Sequence, residues 1–579
     1  MGSGRASAVL RAARWLLPLV VPACCVVWTI LFFAPPTPPA LDVGRRESFH
    51  VSVGEIVGAT ARRAAVTMPV PEREGIVHAS PRLPERQEII DTLPPPPPER
   101  RARAETSPPP PPLPPPEHEL IVDASPPPPP KLEEITGTSP PPPQLARQGR
   151  QGRAANRAAA ADRCAGRYIY VQELPSRFNA DLLRNCRSLS EWTDMCRHVA
   201  NAGMGPRLTR TGAVLPATGW YDTNQFTLEV IFHGRMRQYG CLTADASRAD
   251  AVYVPYYAGL DVGRHLWGSS NGARDALAED LAGWLRSTPA WAARGGRDHF
   301  LVGGRIAWDF RRQDGGNWGS RLLLLPEAAN MTALVLESGP WHAGDVAVPY
   351  PTCFHPSRTA EVASCQRALR RARRPWLFAF AGARRPGGAG GGGTLRDAVI
   401  GQCARSRRCG LLQCGRGRRH DCYAPGNVVR HFKSAAFCLQ PPGDSYTRRS
   451  AFDAMLAGCV PVFFHPGSAY TQYRWHLPAD HARYSVFVPG DGVRNGTVRV
   501  EDVLRRFSRA EVAAMREQVI RMIPSIVYRD PRVPGDGFRD AFDIAVDGMI
   551  ERVSRIKRGL PPWEEDRDQR RWDGYFDSW

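Results

Sequence analysis

The pattern of apolar and polar positions divides the chain into three parts. Positions 15–34 carry no charge, and about twenty such residues is the length a helix needs to cross the hydrocarbon core of a bilayer. Arg5, Arg11 and Arg14 precede the run, so the positive-inside rule keeps the N-terminus cytoplasmic and sends the remainder of the chain into a lumen. A cleavable signal peptide is the rival reading, but the run is longer than a usual signal core and no small-x-small site closes it before Pro35 and Pro36. From 35 to 161 periodicity disappears. Proline runs at 94–98, 108–112, 114–116, 126–130 and 140–143 lock φ, remove backbone donors and favour an extended polyproline II stalk. From about 162 onward, short apolar or β-branched runs at 168–171, 251–256, 299–302, 333–336 and 376–380 read as strands. Helical patterns such as 224–239 and 273–286 lie between them, and this alternation predicts an α/β body of parallel sheets covered by helices.

The sharpest local signal is at 437–464. Phe437-Cys438-Leu439-Gln440 reads as a buried strand that ends at Pro441-Pro442-Gly443. Asp444 and Ser445 read as a helix start, Gly458 as its terminator, and Val460-Pro461-Val462-Phe463-Phe464 as the next strand. Open α/β sheets bind ligands in loops at the carboxyl ends of strands. There, free N–H groups at a helix start attract phosphate oxygens, and Arg448 or Arg449 can add charge-assisted bonds to a diphosphate. Asp453 lies eight residues past Ser445 on the same expected helix. The same residues would equally serve as a plain helix cap with solvated arginines, and the pattern leaves both readings open.

Charge and cysteine content refine this picture. The chain has 76 Lys+Arg against 57 Asp+Glu, a formal charge of +19, yet lysine occurs only at Lys131, Lys433 and Lys557. An arginine excess alongside abundant Ala, Gly and Pro reflects a GC-rich coding bias more simply than a phosphate-binding surface, and no nucleic-acid-binding motif is present. Twelve of the 14 cysteines lie beyond the apolar run, an even number that suits an oxidising compartment. Cys403, Cys409, Cys414 and Cys422 lack a C-x-x-C pair, so local disulfides are expected there in preference to zinc. Asn330-Met331-Thr332 and Asn495-Gly496-Thr497 are glycosylation sequons. The glycine tract 387–393 reads as a surface insertion.

The run FCLQPPGDSYTRRSAFDAMLAGCVPV at 437–462 resembles the exostosin-type signature of glycosyltransferase family 47. YIYV at 168–171, VPYYAGLD at 254–261 and GRDHF at 296–300 extend the likeness, and HPGSAYTQY at 465–473 is similar to the plant branch typified by xyloglucan galactosyltransferase. The Ser-Pro runs opened by Ser107, Ser125 and Ser139 resemble those of plant extensins. The resemblance implies a GT-B fold, two Rossmann-like domains facing a cleft. With the apolar and proline runs read above, the expected division is a tail (1–14), a transmembrane signal anchor (15–34), a proline-rich stem (35–161), an acceptor-side domain (162–372), a nucleotide-sugar domain (373–535) and a C-terminal helix and tail (536–579).

The resemblance further implies an inverting transfer of a sugar, galactose from UDP-galactose, to a cell-wall polysaccharide such as xyloglucan. The setting would be the Golgi lumen, with the chain held to the membrane by one helix and complexes with other Golgi glycosyltransferases left open. Donor contacts are expected from Gly443, Asp444, Ser445, Arg448, Arg449 and Asp453. Direct displacement needs a base beside the acceptor hydroxyl and positive charge on the departing diphosphate. Asp261, Asp298 and His299 are the candidate bases because they follow or begin expected strands, and His233 is a weaker one. No cofactor and no metal are expected, since the Asp-x-Asp at Asp566 and Asp568 lies in a charged tail and follows no strand. The competing class is a non-catalytic glycan-binding or structural cell-wall protein whose stalk carries the function.

Overall fold

Runs of apolar residues buried on both faces form the strands, as parallel sheets require. The computed structural model describes residues 162–208, 218–384, 394–414, 424–534, 537–563 and 572–576. The apolar run at 15–34, the proline stalk, the glycine tract, Cys422 and the Asp566 and Asp568 pair lie outside the described residues. Among the described residues, no helix is long and apolar enough to cross a membrane.

The first sheet holds β1 (Ile169–Val171), β2 (Leu242–Thr243), β3 (Ala251–Val254), β4 (His299–Ile306), β5 (Thr332–Glu337) and β6 (Asp345–Ala347), in the order β2-β1-β3-β4-β5-β6. The second holds β7 (Trp376–Ala383), β8 (Cys409–Cys414), β9 (Ala435–Gln440), β10 (Val460–Phe463) and β11 (Val486–Phe487), in the order β11-β10-β9-β7-β8. Every pairing is parallel. Two Rossmann-like α/β halves result, each with the strand order reversing beside its first strand. The expected strands are all present, with β4 reaching four residues further than its apolar run and β3 ending two residues earlier.

Helix α1 (Leu228–Met236) and α2 (Ala258–His265) cover the first sheet, followed by α3 (Asn271–Arg286), which Ser270 caps through Ala273 N–H. In the second half α4 (Arg449–Leu456) joins β9 to β10 and closes on Gly458, whose φ of +64° only glycine adopts without strain. The last long helix, α5 (Ala541–Lys557), returns to the first half: Phe542 packs on Phe232 of α1 with ring centroids 4.7 Å apart. Buried Arg235 of α1 pairs with Asp540, the cap of α5, at 3.1 Å. One apolar core therefore runs from Ile169 and Phe300 through Tyr350 and Phe452 to Val546.

Disulfides join Cys164–Cys241, Cys186–Cys196, Cys403–Cys409 and Cys438–Cys459, and Cys414 is also disulfide-bonded. The local pairing expected within the 403–422 cluster is present at Cys403–Cys409. Cys353 and Cys365 are free and buried.

Candidate active site

The order of the second sheet sets where its ligand crevice opens. The chain runs from β7 outward to β8 and then crosses to β9 on the other side of β7, so the strand order reverses between β7 and β9. The loop after β9, residues 441–447, occupies that switch point.

A carboxylate from the other half holds this loop in place. Glu337, the last residue of β5, accepts the Thr447 amide at 2.6 Å and the Thr447 hydroxyl at 2.7 Å. Burial pushes the Glu337 carboxyl above its ordinary range, against these bonds and the nearby Arg448 charge. Tyr350 Oη meets Thr447 Oγ1 at 3.1 Å. The Arg448 guanidinium lies against the Cα of Gly443, in the space that a Cβ there would occupy. Arg448 Nη1 is also 3.9 Å from the exposed Asp444 carboxylate.

This pinning moves the helix start. Asp444 and Ser445 do not begin a helix: Thr447 is engaged by Glu337, and α4 starts at Arg449 with Arg448 as its N-cap. No side chain caps it, and a helix start of this kind leaves backbone amides open to an anion. Asp453 therefore sits one turn along α4, not two, and Arg449 Nε lies 3.4 Å from its carboxylate. Arg449 Nη1 donates to the Thr223 carbonyl of the first half at 2.5 Å, and the Thr223 hydroxyl meets His355 Nε2 at 3.0 Å. Arg449 is thus no solvated side chain but a tie between the halves. Gly443, Asp444, Ser445, Arg448, Arg449 and Asp453 lie on one loop and the first two turns of the helix that follows it.

The three residues expected to supply a base are not brought together. Asp261 lies on α2, past the carboxyl end of β3, with its carboxylate bonded by Tyr256 Oη at 2.7 Å and Arg264 Nη2 at 2.6 Å. Asp298 and His299 stand at the amino end of β4, the sheet edge opposite the one where α/β ligands bind. There Arg294, not Arg297 or Arg305, pairs with Asp298 at 2.8 Å, and the other Asp298 oxygen meets His299 Nδ1 at 2.8 Å. Burial opposes ionisation of Asp298, but these bonds hold its pKa below the usual carboxylate range. His233 is buried against Tyr257, and burial lowers its pKa to about 4. Two further acidic groups, Glu337 and Glu229, join Asp261 at the carboxyl side. Glu229 accepts the amides of Gly259 at 2.5 Å, Leu260 at 3.2 Å and Gly304 at 2.9 Å, and burial pushes it up to about 8. Neither carries a local signal, because a lone Glu in a helix or at a strand end reads as solvated until the fold buries it.

Both sequon asparagines are exposed, and Asn495 Oδ1 accepts the Thr497 hydroxyl at 2.8 Å. Among the described residues no cluster of three His, Cys, Asp or Glu could hold a metal.

The exostosin GT47 domain matches residues 163–504, which include both sheets and the loop after β9. The chain belongs to the exostosin GT47 family of glycosyltransferases. Among relatives within that family, xyloglucan galactosyltransferase MUR3 of Arabidopsis thaliana is 50% identical over 401 residues, 69% of this chain and 64% of that protein. The chain thus spans 64% of the length of that relative. Probable xyloglucan galactosyltransferase GT12 of Arabidopsis thaliana is 47% identical over 416 residues, 70% of this chain and 80% of that protein. The crystal structure of a GtfA/B complex is 10% identical, with a TM-score of 0.25 over 48% of this chain and 60% of that one.

Proposed function

We propose that the chain is an inverting glycosyltransferase of GT-B architecture that moves galactose from UDP-galactose to xyloglucan. The observation that carries this reading is the loop after β9, at the switch point of the second sheet and held by Glu337 of the first, within a GT47 family match. The diphosphate lies at the first amides of α4 and the Arg448 guanidinium, which neutralise charge as the bond to the anomeric carbon breaks. An acceptor hydroxyl, presented from the first half, attacks that carbon from the opposite face and gives its proton to a base there. Of the expected bases, Asp261 alone lies past a strand's carboxyl end. The reading includes an anchor at 15–34 that places the body in the Golgi lumen, which the sidedness of the arginines before it supports.

The test is incubation of the full chain with UDP-galactose and galactose-free xyloglucan oligosaccharides, followed by linkage analysis of the product. A β-linked galactose on the acceptor supports the reading. Glycan binding without turnover of any nucleotide sugar refutes it and favours the non-catalytic class.

A further inference from the structure

A second concave feature lies on the first half, outside the residues assigned to the donor. It is a cavity of about 280 Å³ whose walls include Trp192, Trp267 and Trp318. These indoles are 76%, 53% and 36% exposed, while most of the large aromatic side chains are buried. Exposed indoles gathered at one concavity mark a binding surface more than a folding need. They are also held in position: Trp318 Nε1 donates to Asp309 at 2.8 Å, and Trp267 meets Trp318 edge to face with ring centroids 5.2 Å apart.

The charges of the cavity wall are largely settled within the protein. Arg264 pairs with Asp261 at 2.6 Å, and Arg305 pairs with Asp309 at 3.3 Å while stacking 4.1 Å from the Phe226 ring. Only the exposed Glu191 remains at the rim. Such a wall suits an uncharged ligand with flat apolar faces and a polar edge. A lipid tail would set these polar groups against hydrocarbon, an acidic segment would find no unpaired cation in the wall, and a basic one would find only Glu191 at the rim. Position adds a second argument. Asn224 lines the cavity, and the neighbouring Thr223 carbonyl is the acceptor of Arg449 on α4, so the cavity abuts the residues assigned to the donor.

We propose that the Trp192–Trp267–Trp318 cavity is an acceptor subsite that seats the β-linked glucan backbone of a neutral polysaccharide. In such a chain the ring substituents are equatorial, so each pyranose presents C–H groups on both faces to an indole while its hydroxyls stay at the edge. The backbone runs along the cavity and extends a side-chain hydroxyl toward Arg449 and the donor loop. This assignment deepens the glycosyltransferase reading and rests on it for the role of the bound glycan, but not for the binding itself.

The experiment uses the full chain and its Trp192→Ala, Trp267→Ala, Trp318→Ala and Trp267→Tyr variants. Binding of a xylosylated cello-oligosaccharide is followed by intrinsic fluorescence, UDP binding by calorimetry, and acceptor KM and kcat by transfer assay. The alanine variants are expected to weaken glycan binding and raise acceptor KM by about tenfold or more, with UDP affinity held and Trp267→Tyr intermediate. Trp192 and Trp267 are exposed enough that thermal melting should not change. Glycan affinity unchanged in all three alanine variants overturns the assignment. Glycan binding that depends on the tryptophans without any transfer refutes the catalytic reading alone. Absence of glycan binding by the unaltered chain overturns the subsite.

Discussion

Glu337 and Thr447 lie 110 residues apart in sequence, yet one carboxylate oxygen of Glu337 accepts both the amide and the hydroxyl of Thr447. The contact joins the last residue of a first-sheet strand to the loop after a second-sheet strand. It explains why the loop is extended where its sequence resembles a helix cap, and it couples the shape of the loop after β9 to the other half of the body.

Replacing Glu337 by Gln keeps the shape but removes the charge that both bonds use. Hydrogen bonds to a charged group contribute about 1.5–3 kcal/mol, so the variant should lose about tenfold or more in UDP affinity while its far-UV circular dichroism stays native. Calorimetric titration with UDP checks this. Unaltered affinity would detach Glu337 from the donor loop's function.

The two adjacent arginines should separate by phenotype. Arg448 lies on Gly443 beside the loop crevice, whereas Arg449 ties Asp453 to the Thr223 carbonyl. Arg448→Ala should weaken nucleotide binding by about 1.5–3 kcal/mol with little change in melting temperature. Arg449→Ala should lower the melting temperature as well, because it leaves the buried Asp453 carboxylate without its cation. Thermal melts beside nucleotide titrations distinguish the two; identical profiles would contradict the division.

Much of the sheet architecture was legible because strands buried on both faces must be apolar, whatever their neighbours. The site was legible only in part. The strand-loop-helix unit that carries Gly443, Arg448 and Arg449 was readable from the local pattern, but the helix start was misplaced because Asp444 and Ser445 look like caps until Glu337 engages Thr447. The placement of Asp298 and His299 at the amino end of β4 was not legible for a related reason: an apolar run marks a strand, while the fold decides which of its ends faces which side. Trp192, Trp267 and Trp318, scattered over 126 positions by number, carry no shared periodicity and meet only in the folded chain.

Glu229 gives a pH dependence with a definite sign. Its folded pKa is raised by burial to about 8, above the value near 4.3 of an unfolded chain, so the folded state binds more protons between those limits. Its contribution to stability is therefore fully present below about 4.3 and lost as pH rises to about 8, by at most about 1.4 kcal/mol per unit. Denaturant unfolding at pH 5.5 and pH 8 should show lower stability at the higher pH. Glu229→Gln, which keeps no titrating proton, should flatten that difference; a slope unchanged by the substitution would remove Glu229 as its source.

The disulfide Cys438–Cys459 bridges β9 to the residue before β10, closing a segment of sequence separation 21 that contains the donor loop and α4. Closing a loop of that size stabilises by about 3 kcal/mol in the chain-entropy account. The paired Cys438→Ala and Cys459→Ala change should lower the unfolding free energy by roughly that amount. Urea unfolding under non-reducing conditions measures it, and equal midpoints would place the bridge outside the stability of this unit.

The central claim is that sugar transfer takes place at the loop between β9 and α4, with Arg448 and helix amides in place of a metal. The most direct measurement is the transfer rate from UDP-galactose to xyloglucan oligosaccharides, for the full chain and for Arg448→Ala, each with and without excess chelator. The account predicts transfer by the unaltered chain that persists in chelator, and a loss of about tenfold or more in kcat/KM on removing Arg448. Activity abolished by chelator and restored by manganese, or a normal rate from Arg448→Ala, would contradict it.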